Sequence, residues 1–170
     1  MRPVAAAVMH TVAIVAVFAW PAGAQTETLL YDHIHMSVPD PQAAVQWYLD
    51  HIGGEVVDGR PDRLLFGTTR IMFLPGENKT PSARGVINHL GFSFPDVTAK
   101  VRELDAAGAT ITTPIRDVNV DGLSRATGRT ELDGLFKLAF VEDPWGVRLE
   151  LIEDVQHLGL HHVHLRSLDP

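Results

Sequence analysis

The sequence predicts an α+β domain made of paired βαβββ modules. Three observations carry that prediction. First, a short frame occurs twice: His33 is followed by Pro39 and Asp40, and His89 by Pro95 and Asp96, at the same intervals. Internal repetition of this kind fixes architecture before any single residue does. Second, both copies alternate polar and apolar residues, which is the period of a strand. Third, each copy leads into a helical pattern and then into short apolar runs separated by turn residues.

The elements follow in order. In Tyr31–Val38, Ile34, Met36 and Val38 share one face, and His33, His35 and Ser37 the other. Asp40-Pro41 then opens a helix, with Asp as N-cap and Pro in the first turn. Ala44, Trp47 and Tyr48 form its buried stripe, and Gly53-Gly54 ends it. Three short strands are expected at 55–58, 63–67 and 70–74, and residues 75–85 form a polar linker. The second module opens on Val86–Phe94, with Leu90, Phe92 and Phe94 opposite His89, Gly91 and Ser93. Asp96 caps a helix that buries Val97, Val101 and Leu104 and ends at Gly108. Strands are expected at 109–113, 135–141 and 147–153, with a long glycine-punctuated loop over 116–134 that carries Arg125 and Arg129. A loop of that length usually serves function. Each module is expected to form a curved sheet, the two joined edge to edge with helices on the outer faces.

The two ends of the chain are read separately. Arg2, an apolar run from Val4 to Trp20 and the small residues of Ala22-Gly23-Ala24 have the layout of a secretory signal, with cleavage expected after Ala24. Residues 1–24 are therefore set apart from the fold. The apolar run falls short of the ~20 residues of a spanning helix, so no stable membrane insertion is expected. The expected location is periplasmic or secreted. At the other end, residues 157–170 repeat the first frame, with His162 seven residues before Asp169. This stretch is expected to open a further, truncated module, with His162 then the first ligand of a missing second domain; the alternative is that the tail adds an edge strand to a neighbour. Alone it would leave an unpaired strand.

Composition narrows the function. The net charge is −7 with no basic run, which argues against nucleic acid as a partner. The chain has no cysteine, so thiolate metal sites and Cys nucleophiles are excluded. What remains is imidazole and carboxylate chemistry on the polar faces of the strands. His33 and His35 lie on that face in the first strand, His89 in its repeat, and Arg148 and Glu150 in the last. If the sheets curve into a trough, two imidazoles and one carboxylate converge there. Such a set holds Fe, Mn or Zn and leaves positions open for substrate.

At these residues the sequence resembles the vicinal oxygen chelate superfamily. The group includes glyoxalase I, extradiol dioxygenases and bleomycin-binding proteins. The resemblance rests on the paired modules, the opening His with Val and Asp downstream, the helical pair Trp47-Tyr48, and the ending Asp143-Pro144-Trp145-Gly146-Val147-Arg148-Leu149-Glu150. It covers residues 30–154, with module one at 30–75 and module two at 86–154. It implies the glyoxalase/bleomycin resistance/dihydroxybiphenyl dioxygenase fold and a metal held by His33, His89 and Glu150. The family's fourth ligand position falls near Met72, so a three-ligand site is implied. Phe140 stands where extradiol dioxygenases carry Tyr.

The function expected is a metal-dependent enzyme acting on a small substrate chelated through vicinal oxygens. Dioxygenase chemistry is the first choice, because a three-ligand face leaves room for substrate and dioxygen; lyase or isomerase chemistry comes next. His35, on the same face as His33, is the candidate catalytic base or substrate contact. The alternative is a non-catalytic protein of the bleomycin-resistance type that sequesters a small molecule. A homodimer that pairs modules between chains, or a missing second domain, would complete the partners.

Overall fold

The computed structural model describes residues 32–77, 80–119 and 135–167. The expected signal segment, the loop arginines Arg125 and Arg129 and the loop glycines Gly122, Gly128 and Gly134 lie outside the described residues.

Module one runs β1 (His33–Val38), α1 (Pro41–His51), β2 (Glu55–Val57), β3 (Arg60–Phe66) and β4 (Thr69–Pro75). Module two runs β5 (Ile87–Ser93), α2 (Val97–Ala106), β6 (Thr110–Asn119), β7 (Leu135–Glu142) and β8 (Arg148–Ile152), followed by β9 (Gly159–Leu165). Both helices start as the sequence predicts. The Asp40 carboxylate accepts from the N–H groups of Gln42 and Ala43 at 3.0 and 3.1 Å, and that of Asp96 from Ala99 at 2.9 Å. These bonds satisfy donors that a helix start leaves orphaned. Gly53 and Gly54, both at positive φ, turn the chain out of α1.

The strand orders are β1-β4-β3-β2 and β6-β7-β8-β5-β9. The opening strand of each module pairs in parallel with its closing strand, β1 with β4 and β5 with β8. Between the two sheets no ladder is formed among the described residues, in contrast to the edge-to-edge joint expected. The free edge of β5 is taken instead by β9, antiparallel, with Gly91 opposite His162 and His89 opposite His164. The tail, expected to open a further module and to stand unpaired, thus pairs within its own chain.

One apolar core serves both modules. Tyr48, Leu64, Ile71 and Phe73 are fully buried from the first, and Phe92, Leu104, Leu149 and Leu151 from the second. Phe66 meets Phe92 edge-on at 5.4 Å. The turn Asp143–Val147 closes on itself, because the Asp143 carboxylate accepts from the N–H groups of Trp145 and Val147 at 2.9 and 2.8 Å. Its other oxygen accepts from the Tyr48 hydroxyl at 2.7 Å, and Trp145 meets Trp47 at 6.0 Å. The aromatic pair of α1 and the Asp-Pro-Trp-Gly turn therefore form one contact between the modules. Among the described residues no helix is long and apolar enough to cross a membrane.

Candidate metal centre

The candidate centre is built across three neighbouring strands. Glu150 on β8 and His162 on β9 both stand level with Gly91 on β5, one on each side. His89 lies two residues before Gly91 on the same face of β5. Gly91 has no Cβ, so the His162 ring lies across the strand at this point. A Cβ built on Gly91 would meet His162 Nε2 at 2.7 Å and the Cε1 and Nδ1 atoms of the same ring closer still.

Three ligand atoms converge as a result. His89 Nε2 is 2.7 Å from Glu150 Oε2. His162 Nε2 is 3.2 Å from Glu150 Oε2 and 3.2 Å from His89 Nε2. Metal bonds of about 2.1 Å at right angles would place neighbouring donors about 3.0 Å apart, so the triangle matches the spacing of one coordination face. His89 is 4% exposed, so one corner is held in the interior.

The hydrogen bonds around His89 fix its proton. Asn88 Nδ2 donates to the Ala83 carbonyl at 2.9 Å, which orients the amide. Asn88 Oδ1 therefore faces His89 Nδ1 at 2.9 Å and accepts from it. It also accepts from Arg148 Nη1 at 3.1 Å. A neutral His89 then carries its hydrogen on Nδ1 and presents a bare Nε2 to a carboxylate. An acceptor facing an acceptor at 2.7 Å needs a cation or an added proton between them. A single proton would bridge only His89 and Glu150, whereas one divalent ion serves all three atoms. The donor set fits a metal.

Electrostatics and packing complete the centre. Burial pushes the Glu150 carboxyl up, but hydrogen bonds with His162 and His89 outweigh it and hold the group down at about 2. Phe140 meets His89 edge-on at 5.1 Å, and the Arg148 guanidinium lies 3.8 Å over the Phe140 ring. Arg148 thus stacks on an aromatic wall and supports Asn88. His164 stacks on His89 at 4.6 Å. A cavity of about 90 Å³ opens beside His162, lined by Ile34, Thr69, Leu160, His161 and Val163.

The sequence-predicted residues divide. His89 and Glu150 come together, but His33 joins no ligand cluster among the described residues. Its Nδ1 bonds Asp32 at 2.5 Å, and Asp32 is also held by Arg70. The ring stacks on His35 at 4.6 Å. His35 lines a separate cavity of about 220 Å³ with Met36, Ser37, Ser82, Ile87 and Leu90. The third donor near His89 and Glu150 is His162, which the sequence assigned to a missing domain. Its signal was the glycine at mid-strand in β5, a position where another group can approach closely.

A second group of ligand atoms adjoins the first. Asp154 Oδ2 lies 3.1 Å from His157 Nδ1 and 3.2 Å from His161 Nε2. Burial raises the Asp154 pKa, but the bonds with His157 and His161 prevail and lower it.

Comparison with known proteins agrees with this architecture. Residues 30–151 match the family model described as the Glyoxalase/Bleomycin resistance protein/Dioxygenase superfamily. No curated protein matches the chain. Among solved structures, TioX from Micromonospora sp. ML1 is 20% identical at a TM-score of 0.51, with 74% of this chain and 99% of that one covered. SMU.1112c is 25% identical at 0.51, with 75% and 100% covered. An integron cassette protein from the mobile metagenome of V. cholerae is 20% identical at 0.50, with 75% and 96% covered. These likenesses show the fold, and the family model spans most of the chain: the protein belongs to the glyoxalase/bleomycin resistance protein/dioxygenase superfamily.

Proposed function

We propose that the chain is a metal-dependent enzyme acting on a small oxygenated substrate, with a divalent ion held by His89 Nε2, Glu150 Oε2 and His162 Nε2. The observation behind this reading is the meeting of three ligand atoms at 2.7 and 3.2 Å, with the His89 proton turned away toward Asn88. When bound, the ion supplies Lewis-acid polarisation of neighbouring substrate oxygens, and iron adds reaction with dioxygen. Two imidazoles and one carboxylate on one face support dioxygenase chemistry first and lyase or isomerase chemistry next. Iron, manganese and zinc all accept this donor set.

The chain's own residues hold and shape the centre. Asn88 keeps the His89 proton on Nδ1, and Arg148 holds Asn88. Phe140 supplies an apolar wall beside His89. The adjoining cavity of about 90 Å³ has room for roughly three water volumes, which suits a small substrate head. His35 lines the larger cavity, where it is placed to act on or contact whatever enters.

Elemental analysis of the purified protein tests the reading. About one iron, manganese or zinc at this centre is expected in the parent and in His33→Ala, and one ion fewer than the parent in His162→Ala and Glu150→Gln. Loss in His33→Ala with retention in His162→Ala would refute the ligand set. Oxygen uptake by the iron-loaded protein with a panel of catechols then separates a dioxygenase from an isomerase, which consumes none. The sequence supports export of the chain with cleavage after Ala24, as an additional part of this proposal.

A further inference from the structure

We propose that Asp154, His157 and His161 form a second divalent-metal site, and that one hydrogen shared between His161 and His162 makes the two sites compete. The second site stands on its own geometry. The coupling rests on His162 being a ligand of the first.

The second site is built by the turn between β8 and β9. Asp154 is pinned by Ser93, whose hydroxyl donates to the Asp154 carbonyl at 2.7 Å and accepts from its N–H at 2.9 Å. Asp154 Oδ1 accepts from the Gln156 N–H at 3.1 Å. Oδ2 is left facing His157 and His161. Gly159, at φ +94°, lets the chain turn between the two histidines into β9. The side chains of Asp154 and His161 are 8% and 15% exposed, and that of His157 is 46% exposed. Two corners are thus fixed in the protein and one opens to solvent, where an ion can enter. Two imidazoles with one carboxylate suit zinc or a similar transition ion better than calcium or magnesium.

The coupling follows from proton bookkeeping. His161 Nδ1 and His162 Nδ1 are 2.9 Å apart, so one hydrogen lies between them. If His162 gives a bare Nε2 to the first site, its hydrogen sits on Nδ1 and is donated to His161 Nδ1. The His161 hydrogen then sits on Nε2 and is donated to Asp154 Oδ2, which leaves no bare nitrogen for the second site. If instead the second site is filled through His161 Nε2, the His161 hydrogen moves to Nδ1. His162 must then accept it and carry its own hydrogen on Nε2, toward Glu150. Filling both sites puts hydrogens on both facing Nδ1 atoms and breaks their bond. The second ion should therefore bind about tenfold more weakly than it would alone, which is a coupling of about 1.4 kcal/mol, and the effect is reciprocal.

The experiment is a Zn²⁺ titration of the full chain against a competing chelator, with the parent, His157→Ala and Glu150→Gln compared. His157 is exposed on a turn, so its variant should fold normally, as a melting curve checks. The expected result is two ions in the parent and one in each variant. The ion left in Glu150→Gln should bind about tenfold more tightly than the parent's weaker one. Equal stoichiometry in the parent and His157→Ala overturns the second site. Loss of one ion in each variant without tightening in Glu150→Gln overturns the coupling. Loss in Glu150→Gln alone leaves the first site standing and removes the second; loss in His157→Ala alone does the reverse.

Discussion

Gly91→Ala tests the metal centre without touching a ligand. The new Cβ would lie 2.7 Å from His162 Nε2 and closer to other ring atoms. Ordinary carbon contacts need roughly 3.5–4.0 Å, so the ring must move by about 0.8 Å or more. Metal bonds tolerate shifts of about 0.2 Å. The ring can swing away, since Gly91 sits in a strand without positive φ and the obstructed atoms belong to a side chain. The fold should therefore survive, and reduced freedom in the unfolded chain adds about 0.4–1 kcal/mol of stability. The metal should suffer instead, with an affinity loss of about 100-fold taken from the upper range for groups that support a ligand. At a metal concentration 100 times the parent's Kd, ion-linked stabilisation is about 2.7 kcal/mol in the parent and about 0.4 kcal/mol in the variant. For a chain of this size that difference is roughly 5–9 °C in Tm. Thermal melts with and without zinc read it directly. A variant whose zinc-induced Tm rise equals the parent's would show that His162 does not bind the ion.

Three further predictions concern other parts of the molecule. Asn88→Ala frees the His89 proton from its partner, and zinc affinity in a chelator competition should fall about 10–100-fold; unchanged affinity would mean that Asn88 does not set the His89 tautomer. Burial pushes the Asp143 carboxyl up to about 6, against the bonds from Val147, Tyr48 and Trp145. A folded value above the unfolded one gives stability that is full below about pH 4 and lost as pH rises through about 6, by up to ~3 kcal/mol; urea titrations should show Asp143→Asn flattening that fall, and an equally steep fall in the variant would place its origin elsewhere. Mass spectrometry of the exported protein should find a chain beginning at Gln25, and an intact Met1 on exported protein would refute the signal.

What the sequence determined by itself is local and periodic. Alternation put His33, His35, His89 and Glu150 on polar strand faces, because side chains reverse at every residue of a strand. Asp40 and Asp96 marked helix starts, because their carboxylates satisfy orphaned N–H groups only there. The repeated frame gave two modules, and motif residues gave the family. The partners of those faces depended on contacts distant in sequence. Tyr48 and Asp143 meet across 95 residues, and no local pattern announces a buried hydroxyl–carboxylate bond between modules. The third donor depended on which strand took the edge of β5. Both β1 and β9 carry the same His-x-His frame, so periodicity could not choose between them. The choice fell to packing: β9 folds back antiparallel on β5, Gly91 clears the space for the His162 ring, and His33 stays at the surface with Asp32.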